Sequence, residues 1–161
     1  MLILSLDTSG KQASCALLRD GTVLAFERRD ALLDHSRTML PLCQELLNAQ
    51  GLTLGDVDLF SAVVGPGSFT GVRIGVSTVK GLAFPTDLPC AAVSTLESLA
   101  RNVGGLAGRV CALMDARRGQ FYYALFENGV RVTEDDIAGA DAISPMLSDG
   151  TLLVGDGAEV F

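Results

Sequence analysis

The four cysteines, Cys15, Cys43, Cys90 and Cys111, never form a Cys-x-x-Cys pair, and His35 is the only histidine in 161 residues. These absences exclude a zinc ribbon and any two-histidine metal site, because such sites need clustered thiolate or imidazole ligands. Each cysteine lies in an apolar run, so all four are expected to be buried free thiols in a reducing compartment. Charge is scarce too: Asp, Glu, Lys and Arg make up 19% of the chain. Much of the surface is therefore weakly polar or covered by a partner. Basic residues are the minority, 12 against 19 acidic, for a net charge of −7. That balance argues against a protein that holds nucleic acid by itself, since phosphate binding draws on clustered Lys and Arg. Indirect service to a nucleic-acid enzyme stays compatible with it. No apolar run approaches the roughly 20 residues that span a bilayer. The opening Met1–Asp7 lacks a basic segment and reads as a strand rather than a signal peptide. No repeat of about 20 to 50 residues is present. The cytosol is the expected compartment, with no membrane partner.

What is present is a globular composition, 48% hydrophobic, in a length that suits one domain or two small ones. Residues 2–6 are an apolar run ending in Asp7-Thr8-Ser9-Gly10. Runs 13–19 and 22–28 flank Asp20-Gly21, a hairpin signal because Gly accepts the positive φ of a type I′ turn. Three consecutive antiparallel strands are expected. Residues 38–50 carry apolar side chains at 39, 40, 42, 43, 46 and 47, a helical stripe capped by Ser36 or Thr38 and ended by Gly51. Pro41 in it is tolerable only near the first turn. Residues 59–64 read as a buried strand, 65–68 as a tight loop, 70–84 as a second helix, and 90–93 as a strand. Ser94 or Thr95 then caps a short helix, with Glu97 placed to support the cap. Gly104-Gly105 marks a hinge, giving an expected first domain over 1–103 and a β-rich second one over 104–161. In the latter, 109–115 and 121–127 are strands joined at Arg117-Arg118-Gly119. Residues 133–150 show no clear periodicity, and 151–154 is a strand before the turn Gly155-Asp156-Gly157-Ala158. This order predicts an α/β fold, a mixed sheet carrying helices as in the ribonuclease-H-like and actin-like class.

Two stretches attract chemistry. Asp7, Thr8 and Ser9 follow the first strand; an acid there could hold a metal–phosphate, or could simply bond its own turn amides. The glycines of residues 65–71 fit neither a P-loop nor Gly-x-Gly-x-x-Gly. Gly71 and Gly75, four apart, share one helix face and predict a flat groove where another helix comes close. Val72, Val76, Val79 and Ala83 form a neighbouring face, and Arg73, Ser77 and Lys80 a polar third one. If that groove is an intermolecular seam, Gly75→Leu should leave the free chain stable and abolish association; if the glycines pack internally on the sheet, it should lower stability and leave partner choice intact. His35 reads as a helix-start residue, surface or capping, rather than a ligand. No Gly-x-Ser-x-Gly nucleophile turn occurs. Arg117-Arg118 is a weak anion-binding candidate.

Leu6-Asp7-Thr8-Ser9, Asp34-His35-Ser36, Gly65-Pro66-Gly67-Ser68-Phe69-Thr70-Gly71-Val72-Arg73-Ile74-Gly75, Asp115–Tyr123 and Gly155–Ala158, taken in order, resemble the bacterial TsaB (YeaZ) family over nearly the whole chain. The resemblance implies an actin-like ATPase-domain fold in two lobes, the second incomplete here. It implies a non-catalytic subunit that pairs with TsaD, the catalytic relative, and with TsaE, the ATPase partner. Together they make N6-threonylcarbamoyladenosine at tRNA adenosine 37. It implies no catalytic residue, no metal and no cofactor of the chain's own, ATP being used by the complex. tRNA is met only through the complex, and the chain alone forms a homodimer. The pairing surface is implied on the helices matching 36–50 and 70–84, with Met39, Leu42, Leu46, Gly71, Val72, Gly75, Thr78 and Leu82 at the interface. The competing expectation is an ATP-dependent small-molecule kinase using Asp7. A metallopeptidase would need ligands the sequence lacks.

Overall fold

The computed structural model describes residues 1–30, 34–103 and 108–161. It divides into two compact units, Met1–Val93 and Ser94–Phe161. The helix at 95–102 thus belongs with the second unit, ten residues ahead of the expected division. The expected hinge at Gly104-Gly105 lies outside the described residues.

The first unit opens with β1 (Leu2–Asp7), β2 (Gln12–Arg19) and β3 (Thr22–Asp30), the antiparallel trio expected from the apolar runs and the Asp20-Gly21 hairpin signal. Asp20 and Gly21 turn the second hairpin at φ 51° and 81°. Then come α1 (His35–Ala49), β4 (Leu59–Val63), α2 (Phe69–Ala83) and β5 (Cys90–Val93). The sheet order is β3-β2-β1-β4-β5, with β4 parallel to both β1 and β5. Leu2, Leu4 and Leu6 of β1 and Ala13, Cys15 and Leu17 of β2 point to one face. There Met39, Leu42, Cys43, Leu46 and Leu47 of α1 meet Val79 and Ala83 of α2 in a single buried cluster. Both helices therefore pack side by side on the same sheet face, as short right-handed crossovers dictate.

Local details differ from the sequence pattern at the start of α1. Asp34 is the N-cap residue, with no side-chain capping bond, and neither Ser36 nor Thr38 caps the helix. Thr38 instead donates its hydroxyl to the Asp34 carbonyl at 2.9 Å. Since α1 begins at His35, Pro41 sits in its second turn rather than its first. Pro41 is exposed, so the carbonyl of Arg37 that it leaves unpaired is on the solvent side.

The second unit carries α3 (Thr95–Asn102), β6 (Arg109–Arg117), β7 (Gln120–Glu127), β8 (Val130–Arg131), β9 (Asp136–Gly139), α4 (Ala140–Ile143) and β10 (Leu152–Val154). Its sheet runs β10-β6-β7-β8, with β9 also pairing β7. Ser94 caps α3 by accepting from the Glu97 amide at 3.2 Å, as the sequence pattern predicts. The hairpin β6–β7 followed by a strand parallel to β6 repeats the relation of β1–β2 to β4. Its cores are its own: Cys111, Leu113, Phe121, Tyr123, Leu125 and Ile143 on one side, Leu96, Val110, Ala112, Ala124 and Phe126 on the other.

Candidate functional site

The carboxyl ends of β1 and β4 and the start of α2 converge on Thr8. Ser68, the α2 N-cap, accepts from the Gly71 amide at 3.2 Å and donates its own amide to the Ser9 carbonyl at 2.7 Å. Thr8, fully buried, donates its hydroxyl to the Gly71 carbonyl at 2.7 Å. The helix comes this close only because it has no side chains there. A β-carbon on Gly71 would overlap the Thr8 carbonyl oxygen, and one on Gly75 would lie 2.5 Å from the Thr8 hydroxyl. Gly67 at φ 158° packs its α-carbon on Ser9 in the same way, a β-carbon reaching 2.6 Å from the Ser9 carbonyl oxygen. The glycine string is thus a close-approach device inside the first unit.

This corrects the reading of Gly71 and Gly75 as an open seam for another helix. The spacing placed them correctly on one helix face, but that face meets the end of β1. Met39, Leu42 and Leu46 are likewise corrected as contact side chains: they are 0%, 0% and 3% exposed and form the unit's core. Val72, Thr78 and Leu82 are half-buried. Asp7 accepts the Ser9 amide at 2.7 Å, so its carboxylate braces its own turn. His35 starts α1 as expected, yet it is buried rather than on the surface, and its Nδ1 has no partner among the described residues. No group of three or more His, Cys, Asp or Glu side chains among the described residues could hold a metal ion.

The thiols also divide. Cys15, Cys43 and Cys111 are buried, but Cys90, expected inside, is exposed on edge strand β5. The neighbouring Cys15 thiol, together with burial, holds the Cys43 thiol well above the usual thiol range. Burial pushes Cys111 up to about 11.

What α1 and α2 leave open is their outward side. A groove of about 400 Å³ runs between Ser36 of α1 and Phe69, Arg73, Ile74 and Ser77 of α2. A second, of about 300 Å³ and mainly apolar walls, lies further along the same helix pair between Leu40, Gln44 and Leu47 of α1 and Leu82 of α2. Phe69 is 71% exposed and Leu40 is 50% exposed. The Arg73 guanidinium stacks over the Phe69 ring at 4.2 Å from its centroid. Exposed apolar side chains beside grooves on adjacent helices have the character of a protein-docking surface. Of the interface side chains implied by the resemblance, Thr78 and Leu82 line these grooves, whereas Met39, Leu42 and Leu46 are buried in the core.

The family model of tRNA N6-adenosine threonylcarbamoyltransferase, TsaD, matches residues 29–149. The solved structure of YeaZ from Pseudomonas aeruginosa superposes with a TM-score of 0.86 at 32% identity, over 98% of this chain and 77% of that one. The chain belongs to the TsaB (YeaZ) family. TsaB of Escherichia coli, named as a tRNA threonylcarbamoyladenosine biosynthesis protein, is 42% identical over 136 residues, 81% of this chain. This chain spans 58% of that relative's length. Component A of (R)-2-hydroxyglutaryl-CoA dehydratase from Acidaminococcus fermentans matches at TM-score 0.54 and 15% identity, a likeness of fold alone. The TsaB fold is accordingly that of the actin-like ATPase class. No helix among the described residues is long and apolar enough to cross a membrane.

Proposed function

We propose that this chain acts in tRNA N6-threonylcarbamoyladenosine biosynthesis as a non-catalytic subunit that pairs with TsaD through the outward side of α1 and α2. The named function of the TsaB relatives supports the pathway. The observation that carries the non-catalytic reading is the state of the Asp7–Ser9 turn. Its carboxylate is engaged with the Ser9 amide, and Gly67, Gly71 and Gly75 pack directly on the Thr8–Ser9 backbone and the Thr8 hydroxyl that follow it. A kinase would need that turn open to a nucleotide phosphate. On this proposal TsaE supplies the ATPase function, the complex uses ATP, and the chain needs no cofactor of its own. It reaches tRNA only as part of the assembly, works in the cytoplasm, and self-associates through the same helices when TsaD is absent.

The test is co-purification of the chain with tagged TsaD from the same source, followed by reconstituted tRNA modification with TsaE. Modification that requires the chain and survives Asp7→Asn supports the subunit reading. ATP turnover by the chain alone, abolished by Asp7→Asn, would replace it with the kinase reading.

A further inference from the structure

The β6–β7 hairpin turns on Arg118 and Gly119, at φ 57° and 73°, and Arg117 before them stands at 67°. Arg117 pairs with Gln120, so the loop has two central residues, and positive φ at both is the type I′ geometry that favours Asn or Asp followed by Gly. Two other two-residue turns in the chain keep to that preference: Asp20-Gly21 at 51° and 81°, and Asn128-Gly129 at 50° and 79°. In the β6–β7 turn the left-handed region holds two arginines instead. Long side chains are uncommon there and strained, and strain of this kind gathers at functional sites. Asp115 braces the conformation by accepting the Arg117 amide at 2.7 Å. Both arginines are exposed. Arg101 and Arg131 of the same unit are engaged with Glu97 and Asp135, whereas Arg117 and Arg118 have no ion-pair partner among the described residues. A chain of net charge −7 thus presents two adjacent unpaired guanidinium groups on one hairpin tip.

We infer that this turn contacts the phosphate backbone of tRNA inside the assembly that the proposed function describes. Guanidinium groups bind phosphate oxygens through paired hydrogen bonds as well as charge. The neighbouring residues favour RNA over an acidic protein. The exposed residues of the tip are Arg117, Arg118, Gly119 and Gln120, with no apolar side chain among them. A protein interface is built round an apolar or aromatic centre, whereas a phosphate backbone is met by Arg and Gln side chains and needs no such centre. Two cations match about two phosphates, too few to hold RNA against the chain's acidic balance. The contact therefore positions tRNA that the assembly already holds, and it reads no base. The inference rests on the pairing proposal and adds to it the residues by which this chain touches RNA.

The test measures binding of labelled tRNA to the assembly of this chain with TsaD and TsaE by fluorescence anisotropy, as salt rises from about 50 mM to about 300 mM. The variant R117N/R118N removes both charges and installs the residue that the Asn128-Gly129 turn uses at this geometry, while R117K/R118K keeps the charges. Thermal melts should place the Asn variant at or above the wild type, since Asn tolerates positive φ better than Arg. Its assembly should bind tRNA roughly tenfold more weakly at low salt. The slope of log affinity against log salt should be shallower by roughly 2, about 1 for each cation removed. R118N alone should show half that change, so the outcome does not hang on the folding of the double variant. The Lys variant should keep the slope, because counterion release follows charge. An Asn variant that assembles normally and binds tRNA with wild-type affinity and slope overturns the inference and leaves the pairing proposal standing. An Asn variant that folds but no longer joins TsaD or TsaE overturns it in favour of an acidic protein partner. Failure of the wild type to assemble overturns the pairing proposal, and this inference with it.

Discussion

A β-carbon added at Gly71 has nowhere to go, because the atom it meets is the backbone carbonyl of buried Thr8 rather than the end of a side chain that could swing away. Gly71→Ala gains about 1 kcal/mol of helix propensity but is expected to lose more through overpacking, for a net destabilisation on the order of 1–3 kcal/mol. Denaturant titration of the single variant checks the sign; a stabilised protein would show that α2 can lift off β1 at little cost. At Gly75 the opposing atom is the hydroxyl of Thr8, which is held by its bond to the Gly71 carbonyl, so the same direction is expected with a smaller size. The cysteines give a second residue-scale test. Native protein should react with a thiol reagent at Cys90 alone, and denatured protein at all four. Fast labelling of more than one thiol in the native state would contradict the burial. The raised Cys111 value also fixes a pH effect. Burial favours the neutral thiol in the folded state, so its stabilising contribution is complete below the ordinary thiol range of about 9 and is lost as pH climbs toward about 11. Cys111→Ala should flatten that part of the stability–pH curve.

Helix α1 separates what its two sides do. Leu42 lies on the buried stripe and Leu40 on the open one, two residues apart. Leu42→Ala should cost about 2–5 kcal/mol through cavity formation. Leu40→Ser should change stability by a few tenths of a kcal/mol, as surface substitutions do, while weakening association with TsaD. If Leu40→Ser melted like Leu42→Ala, the groove would be part of the core. The existence and order of β1, β2, β3, α1 and α2 were legible because each has a strong local period or turn: the apolar run of β1, Asp20-Gly21, the 3–4 stripe of α1 and the tight 65–68 loop ahead of α2. The neighbour that each face meets was not legible. Spacing shows that Gly71 and Gly75 share a face, but only the sheet topology shows that this face looks onto Thr8. The same holds for Asp7, whose role depends on whether the space beside its turn is open or filled. The 133–150 stretch hid β9 because its four residues are stabilised by pairing with β7, a non-local partner that no local pattern encodes.

The cores of the two units are drawn from separate residues, and each unit has close-approach glycines of its own, of which one in each makes the tightest contact. In the first unit it is Gly71 against Thr8. In the second it is Gly155, at φ 112°, where a β-carbon would overlap the Leu113 carbonyl oxygen of β6. Substitution there meets both a steric clash and a backbone conformation that L side chains rarely adopt. Each glycine therefore offers a way to loosen one unit's sheet without touching the other's core. Hydrogen exchange read by mass spectrometry resolves the outcome by segment, because protection reports local and sub-global opening rather than a single global event. Gly71→Ala should speed exchange in β1, β2 and β4, by roughly tenfold for each ~1.4 kcal/mol lost, and leave β6 and β7 near their wild-type rates. Gly155→Ala should do the reverse. If either substitution instead accelerates all of these strands equally, the two units open as one cooperative body. The pairing proposal would then have to allow that a change at the α1–α2 face is felt through the whole chain.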